Sequence, residues 1–413
     1  MNAQASTPAF DVRRVRADFP LLARTVHGKP LVYFDNANTS QKPHQVIEAV
    51  DRHYREHNAN VSRAVHLLGE EATAAYEGAR DALARFINAH SRNELVLTSG
   101  TTQSANLVAY SFVLPRLRPG DAILTTTMEH HANIVPWQIV AARAGATVKA
   151  APIDASGELI VERFVEMLTP EVKLACVTHV SNVLGTVNPV HELAKECRRR
   201  GIPLFVDGSQ AAPHRPVDVQ ALGCDFYALT GHKMLAPTGT GALWAKKEHL
   251  EAMPPFFGGG EMIREVRFSG TTFAEPPHRF EAGTPNIAGF AGIGAAIAYV
   301  ESLGFEAIRA HERALLDHAT ARLREVPGLR IVGEAAEKEP VISFLVEGAQ
   351  ATDLATLLDL EGVAVRSGHH CAHPLMQFYG VPATLRASLA FYNTHEEVDA
   401  FAAALDKVRA LLR

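Results

Sequence analysis

Short apolar segments alternate with amphipathic ones along the middle of the chain. The apolar segments predict buried strands at residues 94–98, 122–127, 147–153, 173–179, 204–207, 226–229 and 241–245. Between several of these strands, apolar residues recur at helical spacing and predict helices at residues 103–112, 134–143, 161–168 and 190–200. Strands that alternate with helices form a mostly parallel sheet covered by helices. The pattern therefore predicts a large α/β domain built on a seven-stranded sheet.

The pattern changes in the last third of the chain. Thr284 and Pro285 are typical of a helix N-cap and first helical position, and they precede a long Gly- and Ala-rich helix that ends near residue 302. Helices and strands then mix, and Thr394 and Glu397 have the spacing of a capping box at the start of the last helix. We therefore expect an N-terminal segment packing on the small domain (1–30), a large domain (31–300) and a small α+β domain (301–413).

Composition and charge narrow the class of protein. The 413 residues, 47% hydrophobic and 21% charged, are enough for two buried cores. The net charge of −5, with acids and bases mixed, does not predict a nucleic-acid interface. Apolar runs stay short of membrane-spanning length, the first residues lack a secretory pattern, and four cysteines are too few for a disulfide framework. We therefore expect a cytoplasmic protein that contacts neither nucleic acid nor membrane.

A lysine follows one of the predicted strands. Lys233 lies beside His232 in the segment LTGHKM, between the strand at 226–229 and the turn-rich PTGTG. A partly desolvated lysine loses its proton readily and can attack a carbonyl. The alternative is an ordinary exposed lysine, so other stretches must decide between the two.

Two further polar stretches follow strands of the same sheet. Asp207 ends the strand at 204–207, at the edge where open α/β sheets bind ligands. There it could hold the protonated ring nitrogen of pyridoxal phosphate (PLP), or serve only as a turn or cap residue. Thr101 and Thr102, in SGTT, open a helix after the strand at 94–98, a position suited to a phosphate or to an ordinary N-cap. The three stretches together favour a ligand site.

The four cysteines differ in their surroundings. Cys176 lies inside a predicted strand, Cys224 just before one and Cys197 in a basic helix, so all three are expected to be structural. Cys371 lies in RSGHHCAHP among three histidines and an arginine, and positive neighbours favour a reactive thiolate. Zinc is the alternative, but its ligands would crowd into one short run that no distant pair completes. We therefore expect a nucleophile and no metal.

The motifs, taken in order, resemble those of a known family. They are SGTT, MEHHAN, VDGSQ, TGHK, RFEAGTPN, RSGHHCAHP and RASLAFYNTHEEVD. Their order is similar to that of the SUF-type, or group II, cysteine desulfurases and selenocysteine lyases, which are class V aminotransferases of PLP fold type I. The resemblance extends from about Tyr33 to near the C-terminus. It departs at Asn38, where the family usually has a small residue.

The resemblance implies roles for individual residues. Lys233 would bind PLP covalently and take the substrate proton, Asp207 would pair with the ring nitrogen, and His130 would stack on the ring. Further contacts to the cofactor are implied for Thr101, Thr102, Asn182, Gln210, Thr230, His232 and, from the partner subunit of a homodimer, Thr284. Arg386 lies in a strand-like run, where an inward arginine would need an anion. In the family the matching arginine binds the substrate carboxylate, here together with Asn182, and Arg366 would be a second anion partner.

The resemblance also implies a reaction and partners. Cys371 would attack the sulfur of L-cysteine, keep it as a persulfide and leave L-alanine as the product. The short group II cysteine loop implies a separate acceptor protein of the SufE or SufU kind, which serves iron–sulfur cluster assembly. The alternatives are a lyase acting on L-selenocysteine, an aminotransferase of the same fold, which would need no nucleophilic cysteine, and a non-catalytic subunit, which would need neither Lys233 nor Cys371.

Overall fold

The computed structural model describes residues 10–62 and 65–412. Its first elements are α1 (Val12–Ala17), β1 (Thr25–Val26), β2 (Lys29–Pro30), β3 (Val32–Tyr33), α2 (His44–Glu56) and α3 (Leu67–Phe86). Arg16 of α1 forms an ion pair of 2.7 Å with Glu397, and the ring of Phe19 lies 4.4 Å from that of Tyr392. The N-terminal segment therefore lies on C-terminal residues.

A seven-stranded sheet forms the middle of the molecule. Its strands and their connecting helices are β4 (Leu95–Thr98), α4 (Thr101–Leu107), β5 (Ala122–Thr126), α5 (Val135–Ala144), β6 (Thr147–Ala151), α6 (Val161–Met167), β7 (Val172–Thr178), α7 (Val190–Arg199), β8 (Leu204–Asp207), α8 (Val219–Leu222), β9 (Phe226–Thr230) and β10 (Gly241–Ala245). The strand order is β4-β10-β9-β8-β7-β5-β6, and only the pairs made by β10 are antiparallel. The predicted mostly parallel sheet is confirmed.

Apolar cores lie on both faces of this sheet. Along β8, Leu204 and Val206 belong to one core and Phe205 to the other, because successive side chains of a strand point to opposite faces. Both faces are covered, so the strands read as unbroken apolar runs instead of alternating ones. Polar side chains are left for the strand ends.

The remaining elements form a hairpin, a long helix pair and a second sheet. They are α9 (Lys247–Ala252), β11 (Ile263–Arg267), β12 (Gly270–Phe273), α10 (Ile287–Leu303), α11 (Phe305–Arg324), β13 (Leu329–Val332), β14 (Val341–Val346), α12 (Ala351–Leu360), β15 (Val363–Ala364), β16 (Arg366–Gly368), α13 (His373–Tyr379), β17 (Thr384–Ser388) and α14 (His395–Leu411). The second sheet is antiparallel, in the order β13-β14-β17-β16, and β15 pairs with β3. Within the described ranges no single helix is long and apolar enough to cross a membrane; α10 and α11 reach that length only as a pair bent by 79°.

Several local predictions are decided by hydrogen bonds. The capping box of Thr394 and Glu397 is confirmed. The predicted N-cap at Thr284 is wrong, because α10 begins at Ile287 and the side chain of Asn286 accepts from the backbone N–H of Gly289 at 3.0 Å. The helix predicted at 103–112 is α-helical only to Leu107 and then widens into a π-helical turn at Val108–Val113.

Candidate active site

A cavity of about 640 Å³ lies where β7, β8 and β9 end. Parallel strands direct the residues that follow them to one edge of the sheet, which is where ligands bind in such folds. The small sheet closes the other side with β16, β17 and the loop before α13. The predicted residues that line this cavity are Thr101, Thr102, His130, Asn182, Asp207, Gln210, Thr230, His232, Lys233, Arg366, Cys371 and Arg386, together with Asn38. Thr284 lies outside it and is exposed.

Lys233 enters the cavity from the turn Gly231–Lys233, directly after β9. Its Nζ donates to Oε1 of Gln210 at 3.4 Å. Burial lowers the pKa of Lys233 to about 8, although the nearby Asp207 carboxylate acts in the opposite direction. The amine is therefore far more available as a nucleophile or base than that of an exposed lysine. A Cβ on Gly231 would overlap the hydroxyl of Thr240, so this turn requires glycine.

Asp207 is held rigidly at the end of β8. Its Oδ1 accepts from the backbone N–H and the hydroxyl of Ser209, at 2.9 and 2.6 Å. The residue between them, Gly208, has no space for a side chain, because a Cβ there would overlap the ring of Tyr227. The sequence analysis did not assign Ser209 to the site; a hydroxyl two residues after a strand-end aspartate is the signal that could have found it.

The start of α4 forms the end of the cavity nearest Asp207. The hydroxyl of Thr101 lies 2.6 Å from that of Ser209, and the preceding Gly100 has a φ of 139°, which favours glycine. A Cβ on Gly100 would come within 3.1 Å of the Thr230 hydroxyl. Small and hydroxyl-bearing residues thus leave room beside the first backbone N–H groups of the helix, an arrangement suited to a phosphate.

His130 is a neutral imidazole at neutral pH. Burial, followed by the positive charge of Lys233, lowers its pKa to about 4. Its Nδ1 accepts from the backbone N–H of Ala132 at 3.0 Å, so the proton of the neutral ring lies on Nε2. An uncharged ring with a fixed tautomer is suited to packing on a flat aromatic group.

Two arginines share one carboxylate that the sequence analysis missed. Arg386, only 2% exposed, lies 3.2 Å from Oδ1 of Asp35, and Arg366 lies 2.9 Å from Oδ2. Arg386 also donates to the backbone oxygen of Asn182 at 2.9 Å, while burial lowers its pKa to about 10. Its buried Nε has no acceptor among the described residues. Arg386 therefore has Asp35 as the anion its burial requires, and it also lines the cavity.

Cys371 is exposed in the loop between β16 and α13. His370 and Cys371 have φ angles of 51° and 56°, the left-handed region that few residues other than glycine adopt. Two hydrogen bonds hold the loop. The backbone N–H of His131 donates to the backbone oxygen of Cys371 at 2.7 Å, and the side-chain amide of Asn182 donates to the backbone oxygen of His370 at 2.9 Å. The loop thus presents the thiol at the cavity.

The other three cysteines are buried. Burial raises the pKa of Cys197 and of Cys224 to about 12, and it raises that of Cys176 as well. Buried neutral thiols are poor nucleophiles. Their surroundings agree with the structural role predicted for them.

Two of the histidines around Cys371, His370 and His131, do not supply the positive charge that the sequence suggested. Burial lowers the pKa of His370 to about 3, and burial and the neighbouring rings lower that of His131. The rings of His369 and His373 stack 3.7 Å apart. The cations that interact electrostatically with the thiol are Lys233, Arg366 and Arg386. No group of His, Cys, Asp and Glu side chains in residues 10–62 and 65–412 is arranged to hold a metal ion.

Comparison with known proteins places this geometry in a family. The model of the class-V aminotransferases matches residues 32–401. A probable cysteine desulfurase of Xylella fastidiosa is 62% identical over all of this chain and 99% of its own length. The crystal structure of the Escherichia coli cysteine desulfurase CsdA, in an S-sulfonic acid form, superposes with a TM-score of 0.92 at 39% identity, covering 98% of this chain and 100% of that one.

A more distant structure bears on the cofactor. A mutant of the protein C-DES, with glycine covalently linked to its PLP cofactor, superposes with a TM-score of 0.82 at 25% identity over 95% of this chain and 98% of that one. The chain described here belongs to the class-V aminotransferase family and, within it, to the cysteine desulfurases.

Proposed function

We propose that the protein is a PLP-dependent cysteine desulfurase that converts L-cysteine to L-alanine and keeps the sulfur as a persulfide on Cys371. One observation carries this proposal: an exposed thiol and a lysine of lowered pKa line the same cavity as a buried arginine. An aminotransferase of this fold would not need the thiol. Membership of the cysteine desulfurases supports the same conclusion.

The cavity residues fit PLP. The start of α4, with Thr101 and Thr102, would hold the phosphate, and Asp207 would hold the protonated ring nitrogen. His130 would cover the ring, and Gln210 would reach its phenolic oxygen. When bound, PLP supplies an electron sink for the negative charge that develops on the substrate carbon.

The protein's own side chains would then bind the substrate and move protons. Arg386, which lines the cavity, binds the α-carboxylate of L-cysteine, with Asn182 beside it. The free amine of Lys233 removes the Cα proton. The Cys371 thiolate forms a bond to the substrate sulfur as the Cβ–S bond breaks, and the electrons of that bond stay with carbon. Protonation of Cβ and return of a proton to Cα give L-alanine and leave the persulfide on Cys371.

The persulfide would be passed to a separate acceptor protein of the SufE or SufU kind, as a step in iron–sulfur cluster assembly. Cys371 is exposed, so an acceptor thiol can reach it. The hydrogen bonds from His131 and Asn182 hold its loop against the large domain. A thiol held in place in this way requires an acceptor protein that docks beside it.

A direct assay tests the proposed reaction. The purified protein, supplied with PLP, is incubated with L-cysteine, and alanine and sulfide are measured with and without a reductant. We expect alanine in both cases but sulfide mainly with the reductant, because only a reductant releases sulfur from the persulfide. Formation of pyruvate or of a transamination product instead of alanine would contradict the proposal.

We further propose a homodimer in which Thr284 completes the site of the partner. Thr284 is exposed, and its neighbours Gly283 and Pro285 line a second cavity of about 410 Å³. This second cavity adjoins the active-site cavity, because Ser99 and Gln103 line both. A loop placed beside its own site in this way is positioned to reach that of another copy.

Mixed dimers test the shared site. A Lys233→Ala chain and a Thr284→Val chain are combined; if Thr284 serves the partner, one site of each mixed dimer regains both native residues. We expect about half of the wild-type activity per mixed dimer, and much less from either variant alone. Sedimentation as a fully active monomer would overturn the proposal.

A further inference from the structure

A row of buried polar side chains leads from Lys233 into the interior. Lys233 Nζ lies 3.4 Å from Oε1 of Gln210, and Nε2 of Gln210 lies 3.3 Å from Nε2 of His214. The other ring nitrogen of His214 lies 3.0 and 3.1 Å from the two carboxylate oxygens of Glu312, on α11. Gln210, His214 and Glu312 are each at most 3% exposed.

Burying the carboxylate of Glu312 is unfavourable unless a partner compensates for the lost solvation. A carboxylate taken out of water loses several kcal/mol of solvation and needs a partner that restores it. Burial accordingly raises the pKa of Glu312. His214 is the partner, and it connects Glu312 to the residue that touches Lys233. Lys233, His214 and Glu312 also line one small cavity of about 20 Å³.

The row has a definite direction. Because the Glu312 carboxylate faces Nδ1, His214 carries a proton on Nδ1 and donates it to Glu312. Burial opposes the charged ring, but the carboxylates of Glu312 and Glu339 raise the pKa of His214 above its usual value. In the neutral ring Nε2 is an acceptor, and it receives the amide N–H of Gln210. The amide oxygen of Gln210 consequently faces Lys233. A change at Glu312 alters which ring nitrogen carries the proton, and so which end of the amide faces the lysine.

We infer that Glu312 and His214 are positioning residues that act on the reaction through Gln210, by fixing its amide against Lys233. This inference rests on the proposed function, because it assigns Lys233 to the cofactor and to proton transfer. Neither residue is a catalytic group itself. Their effect reaches the substrate only through the orientation of the Gln210 side chain.

A double-mutant cycle tests the inference. Glu312→Gln is made in the wild type and in a Gln210→Ala background, and two properties are measured: alanine formation from L-cysteine, and the pH midpoint of the absorption band of the lysine-bound cofactor. In the wild type we expect a roughly tenfold loss of kcat and a midpoint shift of about one pH unit. In the Gln210→Ala background the same substitution should change the rate by less than about twofold, since coupled residues are not additive.

Glu339→Gln is the matched control. Glu339 is also a buried carboxylate whose charge acts on His214, but its ion-pair partner is Arg215, at 3.5 Å. This control should leave the midpoint of the cofactor band in place. Equal shifts from both variants would attribute the effect to lost charge, and equal effects of Glu312→Gln in both backgrounds would attribute it to the fold; either result overturns the inference.

Two measurements keep the outcomes separate. Thermal unfolding and cofactor stoichiometry show whether each variant folds and binds PLP; if Glu312→Gln does not, His214→Gln takes its place in the cycle. A wild type that binds no PLP or forms no alanine refutes the proposed function. A wild type that forms alanine while Glu312→Gln matches it refutes only the inference.

Discussion

Burial determines the charge of two side chains in the site. The pKa of Lys233 falls to about 8 and that of His130 to about 4, since both lose water around their charged forms. Asp207 accepts two hydrogen bonds from Ser209, which fix the position of its side chain. The site therefore combines an available amine, a neutral ring and an aspartate held in one orientation.

Replacing the exposed cysteine tests its role as the sulfur acceptor. Cys371→Ala should reduce alanine formation from L-cysteine at least a hundredfold and leave the cofactor spectrum unchanged, because the thiol holds no part of the cavity together. Activity on L-selenocysteine should largely persist, since selenium leaves carbon more readily. Kinetics with both substrates provide the measurement.

The buried Cys197→Ala serves as the control for that substitution. It should affect stability but not the ratio of the two activities, because Cys197 lies in α7 away from the cavity. If Cys371→Ala lowered both activities equally, the thiol would have a structural role instead.

Removing the shared carboxylate tests the arginine pair. Asp35→Asn leaves Arg386 buried without its anion, so the free energy of unfolding should fall by about 3 kcal/mol. Asp359→Asn is the control, because its ion pair with His27 is exposed and should contribute less than about 1 kcal/mol. Denaturant titration of both variants measures the difference, and equal losses would contradict the argument.

The sequence could predict some site residues but not others, for a physical reason. Lys233 and Asp207 follow apolar strands, so local pattern places them at the sheet edge. Asp35 also follows a strand, but its partners lie 331 and 351 positions away, at Arg366 and Arg386. Nothing local indicates such pairs, and His214 with Glu312 was missed for the same reason.

At the scale of elements, buried strands were the easiest to predict and exposed ones the hardest. The bounds of β8 and β10 agree with the predicted residues 204–207 and 241–245, because every residue of both strands is buried and apolar runs mark their length. The hairpin of β11 and β12 was not predicted, since most of its residues are exposed and carry no apolar pattern.

The start of α10 provides a stability test at this scale. Asn286→Ala removes the hydrogen bond to Gly289 and should lower the free energy of unfolding by about 1 kcal/mol. Thr284→Ala, two residues earlier, should change it by less than about 0.5 kcal/mol. Thermal or denaturant unfolding of the two variants measures the contrast. A larger loss of unfolding free energy for Thr284→Ala than for Asn286→Ala would support Thr284 as the N-cap, as the sequence predicted.

At the scale of the whole molecule, folding buries several histidines without charge. Burial lowers the pKa of His179 and of His370 to about 3. The hydroxyl of Tyr227, 3.0 Å from Nδ1 of His179, is positioned to donate to the neutral ring. Below pH 6.5 these histidines bind protons in the unfolded chain but not in the folded chain, so acid favours unfolding.

The pH dependence of stability tests this uptake. For each such histidine the stability is complete above pH 6.5 and declines by roughly 1.4 kcal/mol per pH unit as the pH falls toward 3. His179→Asn should remove one such contribution and flatten the decline between pH 6 and 4. His44→Asn, at an exposed position, is the control. Denaturant titrations across this pH range give the slopes, and parallel slopes for wild type and His179→Asn would refute the argument.

The tightly packed glycines beneath the site limit how its specificity can be re-engineered. Gly208 lies so close to Tyr227, and Gly231 so close to Thr240, that no other amino acid fits at either position. Gly208 directly follows Asp207, and Gly231 lies two residues before Lys233. Random libraries that include these positions would consist mostly of misfolded members. Substitutions are better placed at Asn38 and Ser367, which line the cavity. There, substrate preference can change without displacing Asp207 or Lys233.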